Sequence, residues 1–132
     1  MASIHKQITL DASPEAVWDA VRDVGAVHTR FAPRFVTDVE MDGPDRWVTF
    51  ASGMKVLEVI VGVDDGRRRL AYSVRSERLS HHNASFQVLA DGAGARLVWI
   101  ADVLPDAAAA NIEAMMDLGL VAAKSALERV EA

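Results

Sequence analysis

The chain contains no cysteine, which excludes disulfides, thiolate metal sites and a cysteine nucleophile. Positive charge is in deficit: 14 Lys and Arg face 19 Asp and Glu, for a net charge of −5. That balance disfavours nucleic acid or an anionic membrane as a partner. No apolar run approaches the ~20 residues a membrane helix needs. No basic start is followed by an apolar stretch, so no signal peptide is expected and the expected location is cytoplasmic. Internal repeats, Pro/Ser-rich linkers and long charge blocks are all missing, so residues 1–132 read as one domain. Motifs for zinc proteases, serine hydrolases and phosphate loops are missing too. What is there is a globular composition, 51% hydrophobic over 132 residues. A chain of this length hides roughly two thirds of its unfolded surface, enough for one sizeable core. The expected state is a monomer or homodimer without a cofactor.

Periodicity divides the chain into three parts. Ile4, Ile8 and Leu10 share one face of an opening strand. Ser13-Pro14-Glu15 then reads as a helix start, with Ser13 as the N-cap. Val17, Ala20, Val21 and Val24 make its buried stripe, and Gly25 is expected to end it. A second short turn or helix spans 26–32 and stops at Pro33. From 34 to 104 the period becomes two, punctuated by Asp42-Gly43-Pro44-Asp45, Ser52-Gly53, Asp64-Asp65-Gly66 and Asp91-Gly92-Ala93-Gly94. The segments between are strands at about 34–41, 45–51, 54–63, 68–75, 82–90 and 95–104. With the first, they make about seven antiparallel strands.

The expected inward sets are Leu57, Val59, Val61 and Val63; Leu70, Tyr72 and Val74; His82, Ala84, Phe86 and Val88; and Leu97, Trp99, Ala101 and Val103. On the first of these strands Glu58 is expected to face the other way. For 45–51 the inward face stays open between Trp47/Thr49 and Val48/Phe50. After Pro105 the rest reads as one helix to about Val130, with Glu113, Asp117, Lys124, Glu128 and Glu131 toward solvent. The fold class is α+β: a curved antiparallel sheet, two short helices, and one long C-terminal helix packed over it.

The middle of that helix is thin. Ile112 and Leu127 stand near its ends, but Gly119, Ala122, Ala123 and Ala126 supply little volume. Glycine inside a helix costs about 1 kcal/mol relative to alanine, so Gly119 calls for a reason. Met115 and Met116 are flexible and repack around variable shapes. Such a helix either closes on the sheet, with Trp47 or Trp99 filling the space, or leaves a hollow of about 300–1,000 Å³.

The order of elements resembles the START-like (SRPBCC) superfamily and its helix-grip fold. The closest-looking group is its polyketide cyclase/dehydrase and lipid-transport branch. The stretch from Ile8 to Trp18 is similar to that family's opening, an apolar strand running into a small-Pro-Glu-x-Val-Trp helix start. Arg67-Arg68-Arg69-Leu70-Ala71-Tyr72-Ser73-Val74 resembles its charged-to-Leu-x-Tyr strand, and the stretch from Asp91 to Trp99 its late hairpin. The resemblance spans essentially the whole chain. It implies a hydrophobic cavity between the long helix and the sheet, and with it a small hydrophobic ligand: lipid, polyketide or aromatic. Expected ligand-binding residues are Arg30, Trp47, Tyr72, His82, Phe86, Trp99, Ile112, Met115, Met116 and Gly119.

Chemistry beyond binding rests on few residues. His81 and His82 are adjacent on a strand and point apart, and His5 and His28 lie far off in sequence, so no metal site is expected. Tyr72 and His82 are the candidate acid and base for an enolisable substrate. The plainer alternative makes Tyr72 a wall residue with its hydroxyl at the rim and His82 a solvated loop-end residue. Arg30, in the segment that lines the cavity entrance in START-like folds, is either a partner for a ligand anion or a surface cation. Arg67-Arg68-Arg69 reads as a solvated turn. Three functions follow in order of preference: binding of a hydrophobic ligand, a cofactor-free cyclase or dehydratase, and a protein-interaction module with a collapsed cavity.

Overall fold

A computed structural model of the chain describes residues 1–128. Across them the chain forms β1 (Ala2–Leu10), α1 (Pro14–Arg22), a wide single-turn helix α2 (Val27–Phe31), β2 (Val36–Asp42), β3 (Asp45–Phe50), β4 (Lys55–Asp64), β5 (Arg69–Arg75), β6 (His81–Asp91), β7 (Gly94–Leu104) and α3 (Ala109–Leu127). A tight turn at Asp106–Ala108 leads into α3. The seven strands form one antiparallel sheet in the order β1-β7-β6-β5-β4-β3-β2. Each hairpin joins sequence neighbours, and β1 closes onto β7. The helix-grip arrangement is thus present, with α3 packed along β1 and against α2.

Local chemistry explains the joints. Ser13 Oγ accepts from the Ala16 amide at 3.1 Å, Pro14 occupies the first helical position, and Glu15 reaches Arg68 at 3.1 Å. Helix α1 ends at Arg22 rather than at Gly25, because the backbone already leaves helical geometry at Asp23. Its inner face includes Trp18 besides the expected valines. The Trp18 indole N–H donates to Asp65 Oδ1 at 2.9 Å, and Arg22 Nε joins the same oxygen at 2.8 Å, clamping the β4–β5 turn onto α1. Gly94 has no room for a Cβ, which would collide with the Leu10 carbonyl oxygen where β1 ends.

One facing expectation is corrected, and one open choice is resolved. On β4 the buried side chains are Val56 and Glu58, while Val61 is 65% exposed and Val63 is also exposed. The irregular pairing between Ile60 and Gly62 shifts the strand's phase, and the inward Glu58 is made tolerable by an ionic partner. On β3 the open choice falls to the even positions: Arg46 and Val48 are buried, and Phe50 lies half-buried beside them. The other inward sets are as expected, with Leu70, Tyr72, Val74, Ala84, Phe86, Val88, Leu97, Ala101 and Val103 all buried.

On α3 the buried residues are Met116, Gly119, Leu120 and Ala123. Leu120 was not expected there, and Ala126, expected on the inner side, is exposed. Glu113 and Asp117 both reach Lys6 on β1, at 3.4 and 3.2 Å. The expected extension to Val130, and the solvent-facing Glu131, lie outside the described residues. No helix among the described residues is long and apolar enough to cross a membrane.

Candidate functional site

Between the first half of α3, helix α2 and the inner face of the sheet lies a hollow of about 400 Å³. The sequence leaves two outcomes open for the thin middle of α3, closure with Trp47 or Trp99 filling the space or a hollow, and Gly119 bears on both. Gly119 does not hold α3 away from the sheet; it admits large side chains close to the helix. A Cβ at Gly119 would stand 2.9 Å from Trp99 Cζ3 and 3.1 Å from Phe35 Cε2. Trp99 therefore fills the space beside Gly119. The hollow is bordered by Ala108, Ala114 and Met115 on the α3 side and by Val48, Val56 and Val74 on the sheet.

Of the expected ligand-binding residues, Tyr72, His82, Phe86, Trp99, Ile112, Met115, Met116 and Gly119 line this hollow. The other two are placed elsewhere. Trp47 is on the outer face of β3, since its neighbours Arg46 and Val48 take the inner one; its indole N–H donates to Asp42 Oδ2 at 3.2 Å, under the Lys55 ammonium. Arg30 is on the surface of α2, occupied by the carboxylates of Asp19 and Asp23, the latter at 2.9 Å. Those bonds, first that to Asp19, raise its already high pKa. It is the surface cation of the two alternatives.

The wall has an aromatic spine. Phe86 stacks on Trp99 at 4.5 Å between ring centres, lies parallel to Tyr72 at 6.0 Å and meets the edge of Phe31 at 5.1 Å. Strand register produces this, since Phe86 pairs directly with Trp99 across β6–β7. The Trp99 indole N–H donates to the Tyr72 hydroxyl at 3.0 Å. Tyr72 is buried, not at a rim, and burial, followed by the charge of Glu58, pushes its phenol well above the usual pKa. It stays protonated and serves as a hydrogen-bonding group.

The polar part of the hollow escaped the sequence reading. Arg46 on β3 and Glu58 on β4 are directly opposed, and Val74 on β5 continues the row. Arg46 is 3% exposed and Glu58 7%. Arg46 Nε donates to Glu58 Oε1 at 2.8 Å, Nη1 donates to the Val24 carbonyl at 3.2 Å, and the guanidinium lies 5.6 Å from the centre of the Tyr72 ring. The signal available was opposite charges on neighbouring strands, each two positions from a valine that is buried.

His82 sits on the β6 side of the wall. It is two residues from Ala84, which pairs with Tyr72. Its Nδ1 is buried without a hydrogen-bond partner. Burial, helped by neighbouring His81, lowers its pKa to about 4, so the ring is neutral at neutral pH rather than that of a solvated loop-end residue. No group of three or more potential metal-ligating side chains comes together among the described residues.

These features, a curved antiparallel sheet gripping a long helix over a largely apolar hollow, define the helix-grip fold. The chain belongs to the polyketide cyclase / dehydrase and lipid transport family, whose model matches residues 1–128. Among solved structures it is similar to the protein XoxI from Bacillus cereus (TM-score 0.86, 17% identity, 96% of each chain covered). A protein from Chromobacterium violaceum follows (TM-score 0.76, 20% identity, 98% of this chain and 100% of that one). A START superfamily protein from Mycobacterium smegmatis is also similar (TM-score 0.72, 13% identity, 96% of this chain and 94% of that one). At these identities the likeness is one of fold. A search of the curated proteins found no match.

Proposed function

We propose that this protein binds a small hydrophobic molecule in the hollow between α3 and the sheet. The observation that carries the reading is the hollow itself, about 400 Å³ and walled by Val, Phe, Leu, Met and Trp side chains. Cores of this size are normally filled, so an apolar space of ligand dimensions needs an occupant. Burial of the guest's apolar surface, at about 25 cal/mol per Å², supplies most of the affinity. Membership of a family that includes lipid-transport proteins supports the same reading.

The alternatives draw less support. The cyclase or dehydratase reading rests on Tyr72 and His82 as acid and base, and no hydrogen bond joins the two: the Tyr72 hydroxyl is bonded to Trp99, and His82 Nδ1 has no partner among the described residues. A protein-interaction module was expected to have its cavity collapsed, and the hollow is open.

The test is uptake of Nile red, a neutral dye that fluoresces in apolar surroundings. Wild-type protein is expected to bind it with saturation. Ile112→Trp, which adds volume at the helix side of the hollow, is expected to abolish binding while circular dichroism stays unchanged. Binding unaffected by this substitution would place the dye elsewhere and count against the reading.

A further inference from the structure

The hollow has a mouth and a closed end, and one side chain forms the closed end. Met54, Val74, Arg78, Leu79 and His82 line both the hollow and a surface groove where β4 begins, β5 ends and β6 begins, so the hollow opens there. From His82 the wall runs along β6 to Phe86, about 13 Å at the usual strand rise. Phe86 pairs with Trp99 on β7, and the hollow stops at that indole. Among the described residues Trp99 is the only one of β7 in the lining, and none comes from β1. On the β1 side Lys6 pairs with Trp99 and ties β1 to Glu113 and Asp117 of α3. The indole reaches from the sheet to the helix, because Gly119 has no Cβ to keep it off α3. Its stack on Phe86 and the bond from its N–H to the Tyr72 hydroxyl hold the ring in place.

Resting on the binding reading above, we infer that Trp99 is the stop that sets how long a guest the hollow accepts, with the Tyr72 hydroxyl as its positioning partner. An apolar chain entering from the groove passes side chains such as Val74 and Met115 before it meets the indole. A methionine repacks around a guest, whereas a tryptophan stacked on one side and hydrogen-bonded on another does not turn aside. A guest that ends short of the ring leaves part of the hollow unused. A longer one keeps its excess in the groove, in water, where further methylenes bring no burial. Selection therefore acts on the length of the apolar chain.

Methyl esters of straight-chain acids, from methyl hexanoate to methyl hexadecanoate, are each titrated against protein loaded with Nile red. In the wild type each added methylene is expected to improve displacement about fourfold until the chain meets Trp99, and longer esters are expected to gain nothing further. Trp99→Phe keeps an aromatic wall but shortens it. Its levelling point is expected to move to longer esters, the first of them gaining about fourfold over the wild type. Tyr72→Phe deletes only the hydroxyl that holds the indole. It is expected to raise the ratio of long-ester to short-ester displacement, a split that a general loss of stability does not produce. Circular dichroism identifies which variants fold, and either one suffices as the test. A length preference unmoved in a folded variant, or no levelling in the wild type, overturns the inference and leaves the binding reading standing. Absence of any Nile red binding removes both.

Discussion

His82 is where protonation and folding are most directly coupled. Its pKa drops from an ordinary 6.5 to about 4 in the folded chain, because burial disfavours the imidazolium and His81 lies beside it. The unfolded chain therefore takes up a proton that the folded chain refuses, across the interval between those values. Stability is full above about pH 6.5 and falls as pH drops toward 4, below which both states are protonated. His82→Gln is expected to flatten this limb. Urea unfolding followed at neutral and at mildly acidic pH checks it: the wild type should lose stability between the two conditions, and the variant should lose distinctly less. The Arg46–Glu58 pair teaches a different lesson about single residues. Its members lie twelve positions apart in the chain, and only the β3–β4 register sets them face to face. Without that register, each reads as an ordinary solvated charge.

Helix α3 carries the tension between local preference and packing. Alanine at position 119 would improve intrinsic helix propensity by about 1 kcal/mol. The same methyl group would meet the Trp99 ring at 2.9 Å, and that ring is fixed by its bond to Tyr72 and its stack on Phe86. Overpacking of this kind costs about 1–3 kcal/mol, so Gly119→Ala is expected to lower stability by about 1 kcal/mol net. Thermal unfolding checks the sign, and a changed Trp fluorescence spectrum would locate the strain. The small-residue stripe is legible in the sequence, but how closely the helix approaches its neighbours along it is not. Small residues bring a helix closer to its neighbours, and Ala123 is fully buried. Strand existence, hairpin order and the α1 cap were all legible, because turn chemistry and period-two patterning are local signals. The phase of β4 was not, because the irregularity at Ile60/Gly62 and the ionic partner of Glu58 belong to neighbouring strands.

For the molecule as a whole, a guest that enters a hollow of about 400 Å³ adds contacts with its lining side chains. Occupancy should therefore raise the melting temperature with ligand concentration. At a hundredfold excess over Kd the gain is about 2.7 kcal/mol, worth several degrees in a protein of this length. Differential scanning fluorimetry with methyl decanoate is expected to show that rise in the wild type and none in Ile112→Trp. Equal shifts in both proteins would mean that the added compound acts through some surface other than this hollow.

Element order, fold class and most of the apolar wall could be read directly from the residues, since hydrophobic period, capping and turn signals act over a few positions. Of the ten residues expected to bind a ligand, eight border the hollow. Trp47 and Arg30 do not, because which side of β3 faces inward and which carboxylates Arg30 meets depend on contacts between elements. The size of the space and its buried ionic patch were likewise settled by how seven strands register and how closely α3 approaches them. Those are sums over distant parts of the chain, and no local pattern encodes them.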